Sequence, residues 1–329
     1  MHCVIDALRC DMMQFFQRQW FLISLLVVFI AGIGFPAVFE PFANARTLRN
    51  AIVATVLFIM ALPLDTQSLG NSIRRPWPAL LGSFVNVLVL PLLAWAGAQL
   101  LSGDMKTGLL VTAAVPCTLA SAAVWTRRAG GDDAVSILVT TITNVSCFLT
   151  VPFWLYMTTG SEMSSEDQMQ LARMPIRLGL LVVLPMALAQ VVRQHAAIGE
   201  WATRNKPLLS KVAQIGILSM VLAGATFCGL KIAETDWTSF SGFPMMCLVA
   251  TVLHLAVFAI GMRLAVLCGF SRPQQIAVGI AGSQKTLMVG LDIAISYFGG
   301  LAILPMVAYH FIQLMADTVL ADWLNSRNK

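Results

Sequence analysis

The chain is dominated by ten apolar segments, each of about 18 to 25 residues and long enough to cross a bilayer as a helix. Short polar or charged loops separate them. Their approximate bounds are 20–39, 49–69, 78–101, 106–126, 134–158, 175–193, 208–230, 243–267, 273–297 and 301–324. Only 11% of the residues are charged, whereas about a quarter are charged in a soluble domain. The sequence therefore predicts an all-α, multi-pass integral membrane protein in a lipid bilayer.

The same composition excludes several other classes of protein. The net charge of +5 is spread over short loops and forms no continuous basic face, so no nucleic-acid partner is expected. The seven cysteines are scattered without a C-x-x-C pair, which is typical of apolar packing residues rather than of a metal site. No nucleotide-binding loop or nucleophile triad is present. We expect no cofactor beyond a coupling Na⁺ or H⁺ and a small-molecule solute as partner; the sequence defines no oligomeric state.

The distribution of Lys and Arg predicts the orientation in the membrane. If the N-terminus is cytoplasmic, most of the 21 cations lie on the cytoplasmic side. These are Arg9, Arg18, Arg74, Arg75, Arg127, Arg128, Arg193, Arg204, Lys206, Lys211, Arg263, Arg272, Arg327 and Lys329. The opposite side has Arg46, Arg49, Lys106, Arg173, Arg177 and Lys231. We therefore expect both termini, including an N-terminal segment 1–19, to be cytoplasmic, in the inner membrane if the source is bacterial.

Ten segments divide into two sets of five, at 20–158 and 175–324. Five is an odd number, so two related sets must be inverted relative to each other, as in many secondary transporters. The fourth and ninth segments then correspond. The fourth has Pro116 near its middle, and the ninth has Gly282 among polar residues. We predict that both helices are broken there, which is the best sequence indication of a transporter binding site.

Lys285 lies in the middle of the ninth segment. An ammonium at that depth costs from about 2.5 to more than 10 kcal/mol, so the side chain is expected to face a polar cavity or a partner. The alternative is that the flanking glycines, Gly279, Gly282 and Gly290, only allow helices to pack closely, and that Lys285 is neutral or reaches an interface.

Four polar residues follow one face of the fifth segment at helical spacing: Ser136, Thr140, Thr143 and Asn144. Hydroxyl and carboxamide oxygens are neutral ligands for a sodium ion or a polar solute. The alternative is that each hydroxyl bonds to the preceding helical turn, which is common in membrane helices.

Other ionisable residues in apolar segments have simpler interpretations. Asp292, two turns beyond Lys285, either neutralises that lysine or lies near the outer interface. Asp65 and Asp317 lie toward the cytoplasmic ends of their segments, where we expect solvated or loop-capping carboxylates. His254 has no motif around it and is predicted to be a packing residue.

Two motifs point to a known family. The ninth segment contains Gly282-Ser283-Gln284-Lys285, and the tenth contains Tyr309-His310-Phe311-Ile312-Gln313. Together with the broken fourth segment, these motifs resemble the bile acid:sodium symporter superfamily. The resemblance covers nearly the whole chain and is closest to a divergent branch with Gly-Ser-Gln-Lys and Tyr-His-x-x-Gln at these places.

The resemblance implies a core domain in which helices 4 and 9 cross, and a panel domain formed by helices 1, 2, 6 and 7. It places His310 beside the substrate cavity, with Gln313 in the same motif. The residues implied as sodium ligands are Ser121, Ser136, Thr140 and Gln284.

Three departures from the family pattern affect that sodium site. A Ser-Asn pair of the symporters is Ser121-Ala122 here, and a glutamate four residues before Gln284 is Ile280. A Gln-Asn pair is Gln284-Lys285. One carboxylate and one carboxamide are therefore missing, and a cationic side chain has been added.

We therefore predict a secondary transporter of a small organic anion that works by alternating access. In this hypothesis Lys285 replaces a coupling sodium ion, and transport is proton-coupled or uncoupled. Lys285 pairing with the anionic solute is an alternative, as is a sodium-coupled organic anion symporter. Two other classes remain open: a channel-like or regulatory membrane protein, and a membrane enzyme that uses Lys285 as a Schiff base.

Overall fold

The computed structural model describes residues 20–64, 74–119, 121–160, 165–234 and 241–326, and every regular element in these ranges is helical. The segment 1–19 and Asp65 lie outside them. The helices are α1 (Trp20–Gly34), α2 (Pro36–Asn44), α3 (Arg46–Ala61), α4 (Trp77–Ala98), α5 (Gly103–Ala114), α6 (Ser121–Arg128), α7 (Asp133–Thr159), α8 (Ser165–Leu178, continued by Gly179–Val183 and Leu184–Arg193), α9 (Ala196–Arg204), α10 (Lys206–Glu234), α11 (Phe243–Leu267), α12 (Arg272–Ser283), α13 (Leu287–Ile293, continued by Ala294–Phe298) and α14 (Ile303–Ser326).

Six of the described helices are long and apolar enough to cross a membrane, and the bent pair α1–α2 makes up to seven. They are α4, α7, α8, α10, α11 and the helix containing α14. The other predicted segments coincide with shorter helices, several of which are bent or broken. The protein is thus a multi-pass helical membrane protein, while ten spanning helices in two inverted repeats remain a prediction.

The first predicted segment, 20–39, is not one straight helix. It bends by 101° between α1 and α2, and Phe35 at the bend has non-helical dihedral angles. The reason is Pro36, because a proline disfavours the helical conformation of the preceding residue and cannot donate a backbone hydrogen bond.

The fourth and ninth segments are both interrupted in mid-course. In the fourth, α5 ends at Ala114, Val115 is extended, and α6 begins at Ser121. Pro116 explains the extended Val115, for the same steric reason as at Phe35. In the ninth, α12 ends at Ser283, and residues 284–286 are not helical, with Gln284 and Thr286 extended, before α13 begins.

A π-helical turn at Val85–Val89 widens α4 just before Pro91. The ring of Pro91 would clash with the carbonyl of Val87 in a regular helix, and the wider turn relieves that clash. The Val87 carbonyl accepts a hydrogen bond of 2.6 Å from the Trp154 indole instead. Asn86 lies within this turn, which brings it to the site described below.

The helices form two packed groups. In one, α2, α3 and α10 pack together, and α8 packs on α3 and also on α7 of the other group. In the other, α4, α5, α6, α7, α11, α12 and α14 contact one another, with α12 packed against α4, α7 and α11.

Candidate functional site

The two interrupted segments contact each other directly. The backbone N–H of Thr286 donates to the carbonyl of Pro116 at 2.9 Å. The side chain of Lys285 donates to the carbonyl of Val115 at 2.8 Å. Backbone groups freed by one break are thus satisfied by the other, as the interior of a membrane protein requires.

The Lys285 ammonium group is enclosed in protein, with the residue only 2% exposed. Its Nζ contacts three acceptors: the Asn86 carbonyl at 2.8 Å, the Asn86 Oδ1 at 3.1 Å and the Val115 carbonyl at 2.8 Å. Three acceptors match the three N–H donors of an ammonium. None of the ion pairs within the described ranges includes Lys285.

Asn86 is the residue that our sequence reasoning missed at this site. Its amide donates to the carbonyls of Ala281, Gly282 and Gln284, at 3.1, 3.2 and 2.8 Å. The carbonyls of Ala281 and Gly282 at the end of α12 have no partner within the helix, and that of Gln284 lies in the break. The side-chain nitrogen of Asn86 therefore caps the broken helix, while its backbone and side-chain oxygens accept hydrogen bonds from Lys285. An asparagine inside an apolar segment was the signal that the sequence offered.

Gly282 and Pro116 lie beside the breaks in different ways. Pro116 is inside the first break, whereas α12 continues through Gly282 and ends one residue later. A Cβ at Gly282 would lie 2.8 Å from a methyl carbon of Val85. The glycine therefore permits α12 to approach the widened turn of α4.

Gln284 points away from Lys285, because successive side chains of an extended backbone alternate in direction. Its Oε1 accepts from the Ser121 hydroxyl at 3.0 Å, and its Nε2 donates to Asp317 Oδ2 at 2.5 Å. The other carboxylate oxygen of Asp317 lies 3.1 Å from Nε2 of His254.

The expectation that Asp317 is solvated is therefore wrong. Asp317 is fully buried, since α14 continues to Ser326 and holds it well inside the helix, against α11 and the end of α12. His254, which we assigned to packing, is also fully buried, but both of its ring nitrogens face polar atoms.

The polar face of α7 lies against the first break. Asn144 donates to the Cys117 carbonyl at 2.8 Å, and Thr143 accepts from the Cys117 N–H at 3.3 Å. Thr140 donates to the Thr118 carbonyl at 3.4 Å. These residues satisfy the opened backbone. The Oδ1 of Asn144 is buried without a hydrogen-bond partner.

The four residues that the resemblance implies as sodium ligands are divided among separate hydrogen bonds. Ser121 and Gln284 contact each other, whereas Thr140 bonds to the first break. Ser136 lies 2.6 Å from the hydroxyl of Thr126 on α6. Only the first two are therefore brought together directly.

Gln313 holds the backbone of the second break. Its Oε1 accepts from the Lys285 N–H at 2.9 Å, and its Nε2 donates to the Lys285 carbonyl at 3.0 Å. The same nitrogen lies 2.9 Å from Nδ1 of His310. Gln313 thus links the backbone of Lys285 to His310.

A cavity of about 730 Å³ lies between the two helix groups. Its described lining residues are Phe21, Leu22, Thr118, Ser121, Val124, Trp125, Arg128, Ser210, Gln214, Ile217, His310, Leu314 and Thr318. Arg128 is the cation among them, and no carboxylate belongs to this described set. Ser121 and His310 therefore face the cavity, whereas Lys285 is separated from it.

Asp292 is not the partner of Lys285. It is 3% exposed and pairs with Arg177 of α8 at 2.8 Å, so it joins α13 to α8. Arg177 also lies over the ring of Tyr297 at 5.4 Å. A second arginine, Arg49, is buried nearby, and one nitrogen of each arginine and one oxygen of Asp292 have no hydrogen-bond partner.

A multi-pass helical protein with two touching helix breaks beside a cavity between two helix groups has the architecture typical of a secondary transporter. Residues 19–326 match the model of the SBF-like CPA transporter family, so the chain belongs to that family. The relation to the bile acid:sodium symporters inferred from the two motifs is confirmed, and the protein is a transporter rather than an enzyme.

Named relatives agree with this assignment. The chain is 23% identical to sodium/bile acid cotransporter 7-B of Xenopus laevis, with 95% of the chain and 94% of the relative aligned. It is 25% identical to sodium/bile acid cotransporter 7 of Rattus norvegicus, with 95% of each chain aligned. An uncharacterized protein of Pseudomonas aeruginosa is 27% identical over 92% of this chain and 91% of its own length.

Proposed function

We propose that the protein moves a small organic anion across the membrane by alternating access, and that the Lys285 ammonium takes the place of a coupling sodium ion. The two helix groups act as a panel and a core, and ten spanning helices form two inverted repeats at 20–158 and 175–324. The relatives named for sodium and bile acid support cotransport of an organic solute as the starting point.

The cavity between the two groups is the proposed solute site. Its lining combines hydroxyls, His310 and Arg128 with apolar side chains, and none of the described lining residues is acidic. Arg128 pairs with Asp322 through two bonds of 2.8 Å and stacks on Trp125, so its cation is held at the cavity wall. The described lining therefore offers hydrogen-bond donors and no acidic group of its own, which supports an anion rather than a cation.

The opposite side of the protein is the proposed closed gate. There the Arg177–Asp292 ion pair connects α8 of the panel to α13, which contacts α5 and α14 of the core. The orientation predicted from the loop charges puts the cavity toward the cytoplasm and this ion pair toward the outside. The described conformation is then inward-facing, and outward opening requires Arg177 and Asp292 to separate.

The observation that carries the role of Lys285 is its coordination. Three oxygens surround Nζ at 2.8 to 3.1 Å, and two of them are backbone carbonyls at or beside the crossing. An arrangement of neutral oxygens around a positive charge is also how proteins bind a sodium ion. The tethered ammonium would supply permanently the charge that a coupling ion supplies transiently.

The test is the Lys285→Asn variant, which restores the Gln-Asn pair that the resembling symporters have. We expect the thermal stability of purified wild-type protein to be independent of sodium at constant ionic strength, with choline as the replacement cation. Lys285→Asn should be stabilised by sodium, because its carboxamide oxygen and the vacated carbonyls form a cation site. In the same assay, cholate should raise the melting temperature more than its uncharged methyl ester.

Lys211→Ala is the control, since Lys211 is an exposed lysine and should behave as wild type. If Lys285→Asn folds but remains insensitive to sodium, the ammonium does not occupy an ion site. Equal responses to cholate and its methyl ester would contradict an anion site.

Sodium coupling through another site is the second candidate, favoured by the buried Oδ1 of Asn144, which lacks a hydrogen-bond partner. This oxygen lies beside the first break and is free to bind a cation. A sodium response in wild type that Asn144→Leu removes would establish this alternative and refute the substitution by Lys285.

A further inference from the structure

Two arginines share one carboxylate on the side of the protein opposite the cavity. Arg49 is on α3, Arg177 on α8 and Asp292 on α13. Arg49 is only 6% exposed and Asp292 only 3%. Arg177 donates to Asp292 Oδ1 at 2.8 Å, whereas no ion pair in the described part of the chain includes Arg49. The three side chains therefore bring one more positive than negative charge into the protein.

The hydrogen bonds of this cluster are incomplete. Nη1 of Arg49, Nη1 of Arg177 and Oδ2 of Asp292 are buried without a partner among the described residues. Arginine and a carboxylate often join through two parallel bonds, but here one bond leaves the second atom of each group unpaired. A buried polar group without a partner is costly, most of all when it is charged. Two buried N–H donors thus lack an acceptor.

Aromatic rings and an asparagine hold the two guanidinium groups in place. The Arg49 guanidinium lies over the ring of Phe227 at 5.6 Å, and that of Arg177 lies over the ring of Tyr297 at 5.4 Å. Arg177 also donates to Asn50 Oδ1 at 3.3 Å. A ring covers one face of a guanidinium and leaves the N–H groups in its plane available. Both arginines are therefore preorganised to bind an acceptor.

The chemistry of the cluster indicates a carboxylate ligand. The charges of Arg49 and Arg177 both act on Asp292, so the two guanidinium groups surround the same carboxylate. They also repel each other, and a bound anion relieves that repulsion. A guanidinium matches the two oxygens of a carboxylate, and Asp292 demonstrates that a carboxylate fits against Arg177. A second carboxylate would satisfy the unpaired nitrogens and cancel the excess charge.

We propose that Arg49 and Arg177 form a second binding site for the carboxylate of the solute, and that Asp292 occupies this site as an internal carboxylate in the described conformation. This inference rests on the alternating-access function proposed above and assigns the solute-binding residues of the side opposite the cavity. A solute carboxylate that binds Arg49 and Arg177 displaces Asp292. Solute binding thereby breaks the ion pair that connects α8 to α13, and that side opens.

The exchange of one carboxylate for another keeps both arginines paired. Separating Arg177 from Asp292 without a replacement leaves unpaired charges inside the protein, which is strongly unfavourable. The incoming carboxylate replaces the lost contact, and water that enters as this side opens hydrates Asp292. The side opposite the cavity therefore opens when an anion is present to take the place of Asp292.

The first experiment removes the internal carboxylate and supplies one from solution. Purified full-length Asp292→Ala is melted in potassium acetate, and in potassium chloride with acetamide as the uncharged isostere, at equal ionic strength. Acetate at ten times its Kd should raise the melting temperature by about 2–4 °C more than acetamide. The effect should be smaller in wild type, where Asp292 competes, and absent when Arg49→Gln is added to Asp292→Ala. Asp133→Ala, which removes a partly exposed partner of Arg127, should show no difference between the two solutes.

The second experiment leaves the Arg177–Asp292 pair intact. Hydrogen–deuterium exchange of wild type and Arg49→Gln is measured in phosphatidylcholine nanodiscs with acetate or acetamide. Acetate should increase exchange in α13 and in the part of α8 around Arg177 in wild type, and should have no effect in Arg49→Gln. Arg46→Gln is the matched control, because Arg46 is an exposed arginine on the same helix and its variant should respond as wild type.

The outcomes are distinct. If folded Asp292→Ala responds equally to acetate and acetamide, or if Arg49→Gln keeps the wild-type exchange response, the carboxylate site is refuted. The second experiment decides the question alone if Asp292→Ala does not fold. If phosphatidylglycerol in the nanodisc, and not acetate, increases exchange through Arg49, the ligand is a lipid phosphate and the assignment to the solute is wrong. If acetate stabilises Asp292→Ala through Arg49 but neither acetate nor cholate changes exchange on either side of wild type, the site stands and alternating access fails.

Discussion

Gln284 and Lys285 are neighbours in sequence but lie in opposite environments. The Lys285 side is closed: three acceptors saturate Nζ, and Asn86 supplies two of them. The Gln284 side is connected: one end of its amide reaches Ser121 at the cavity, and the other reaches Asp317.

The difference separates a structural role from a functional one. A buried cation with all its donors satisfied is expensive to disturb, so it holds the crossing in one arrangement. The Gln284 amide bridges a cavity residue and a buried carboxylate, so a change at the cavity can alter its hydrogen bonding. The more conspicuous residue in the sequence, Lys285, is therefore the less suited to change during transport.

The largest loss of stability is expected from removing the Asn86 side chain, which contacts both Lys285 and the end of α12. Asn86→Ala leaves the ammonium with two of its three acceptors, because the backbone carbonyl of residue 86 remains, and it removes the donor to the carbonyls of Ala281, Gly282 and Gln284. We expect a loss of about 3–5 kcal/mol in the free energy of unfolding, seen as a lower melting temperature in detergent. Adding Lys285→Met should recover part of this loss, since no buried charge then remains.

The control for this variant is Asn44→Ala, because Asn44 is exposed and bonds only weakly to Glu40. An Asn86→Ala protein as stable as wild type would show that the Lys285 side does not hold the crossing.

A smaller effect is expected from Gln313→Met, which tests what keeps the two sides apart. Gln313 bonds to both backbone groups of Lys285 and so fixes the extended break from which Gln284 and Lys285 diverge. Its loss should cost about 2–3 kcal/mol, because two buried backbone groups lose their partner. Gln99→Leu is the exposed control. A cost equal to that of the control would mean that the break keeps its shape without Gln313.

The smallest effect is expected from Tyr309→Phe on the Gln284 side. The variant loses one hydrogen bond to the Ser283 carbonyl, which keeps its contact with His254. We expect a cost of about 1 kcal/mol in the free energy of unfolding. Tyr156→Phe, at an exposed tyrosine, should have no effect. A Tyr309→Phe protein as unstable as Asn86→Ala would remove the contrast between the two sides.

Much of the architecture was predictable, because membrane helices need long apolar runs and a proline leaves a local mark. The interruption around Pro116 and the family relation both follow from short stretches of sequence. The bend at Phe35 also has a proline, Pro36, but the continuous apolar run predicted a single helix across it. Apolar content reports burial in lipid and says little about where a helix turns.

The site was predictable only in its residue types. The sequence indicated that Ser121, Gln284, Lys285 and Gln313 belong near the crossing, but not which of them touch. Asn86 and Asp317 were missed as partners for opposite reasons: the first is a single amide within an apolar run, and the second lies near a helix end. Their roles depend on contacts with residues far away in the chain, which no local pattern encodes.

The sequence by itself determined that this is a multi-pass helical transporter, because apolar run length and two motifs are local properties of the chain. The tertiary structure alone decided that Lys285 is sealed against Asn86 while Gln284 leads through Asp317 to His254. The physical reason is that an extended backbone sends neighbouring side chains in opposite directions. What each one meets there depends on helices that pack from distant parts of the sequence.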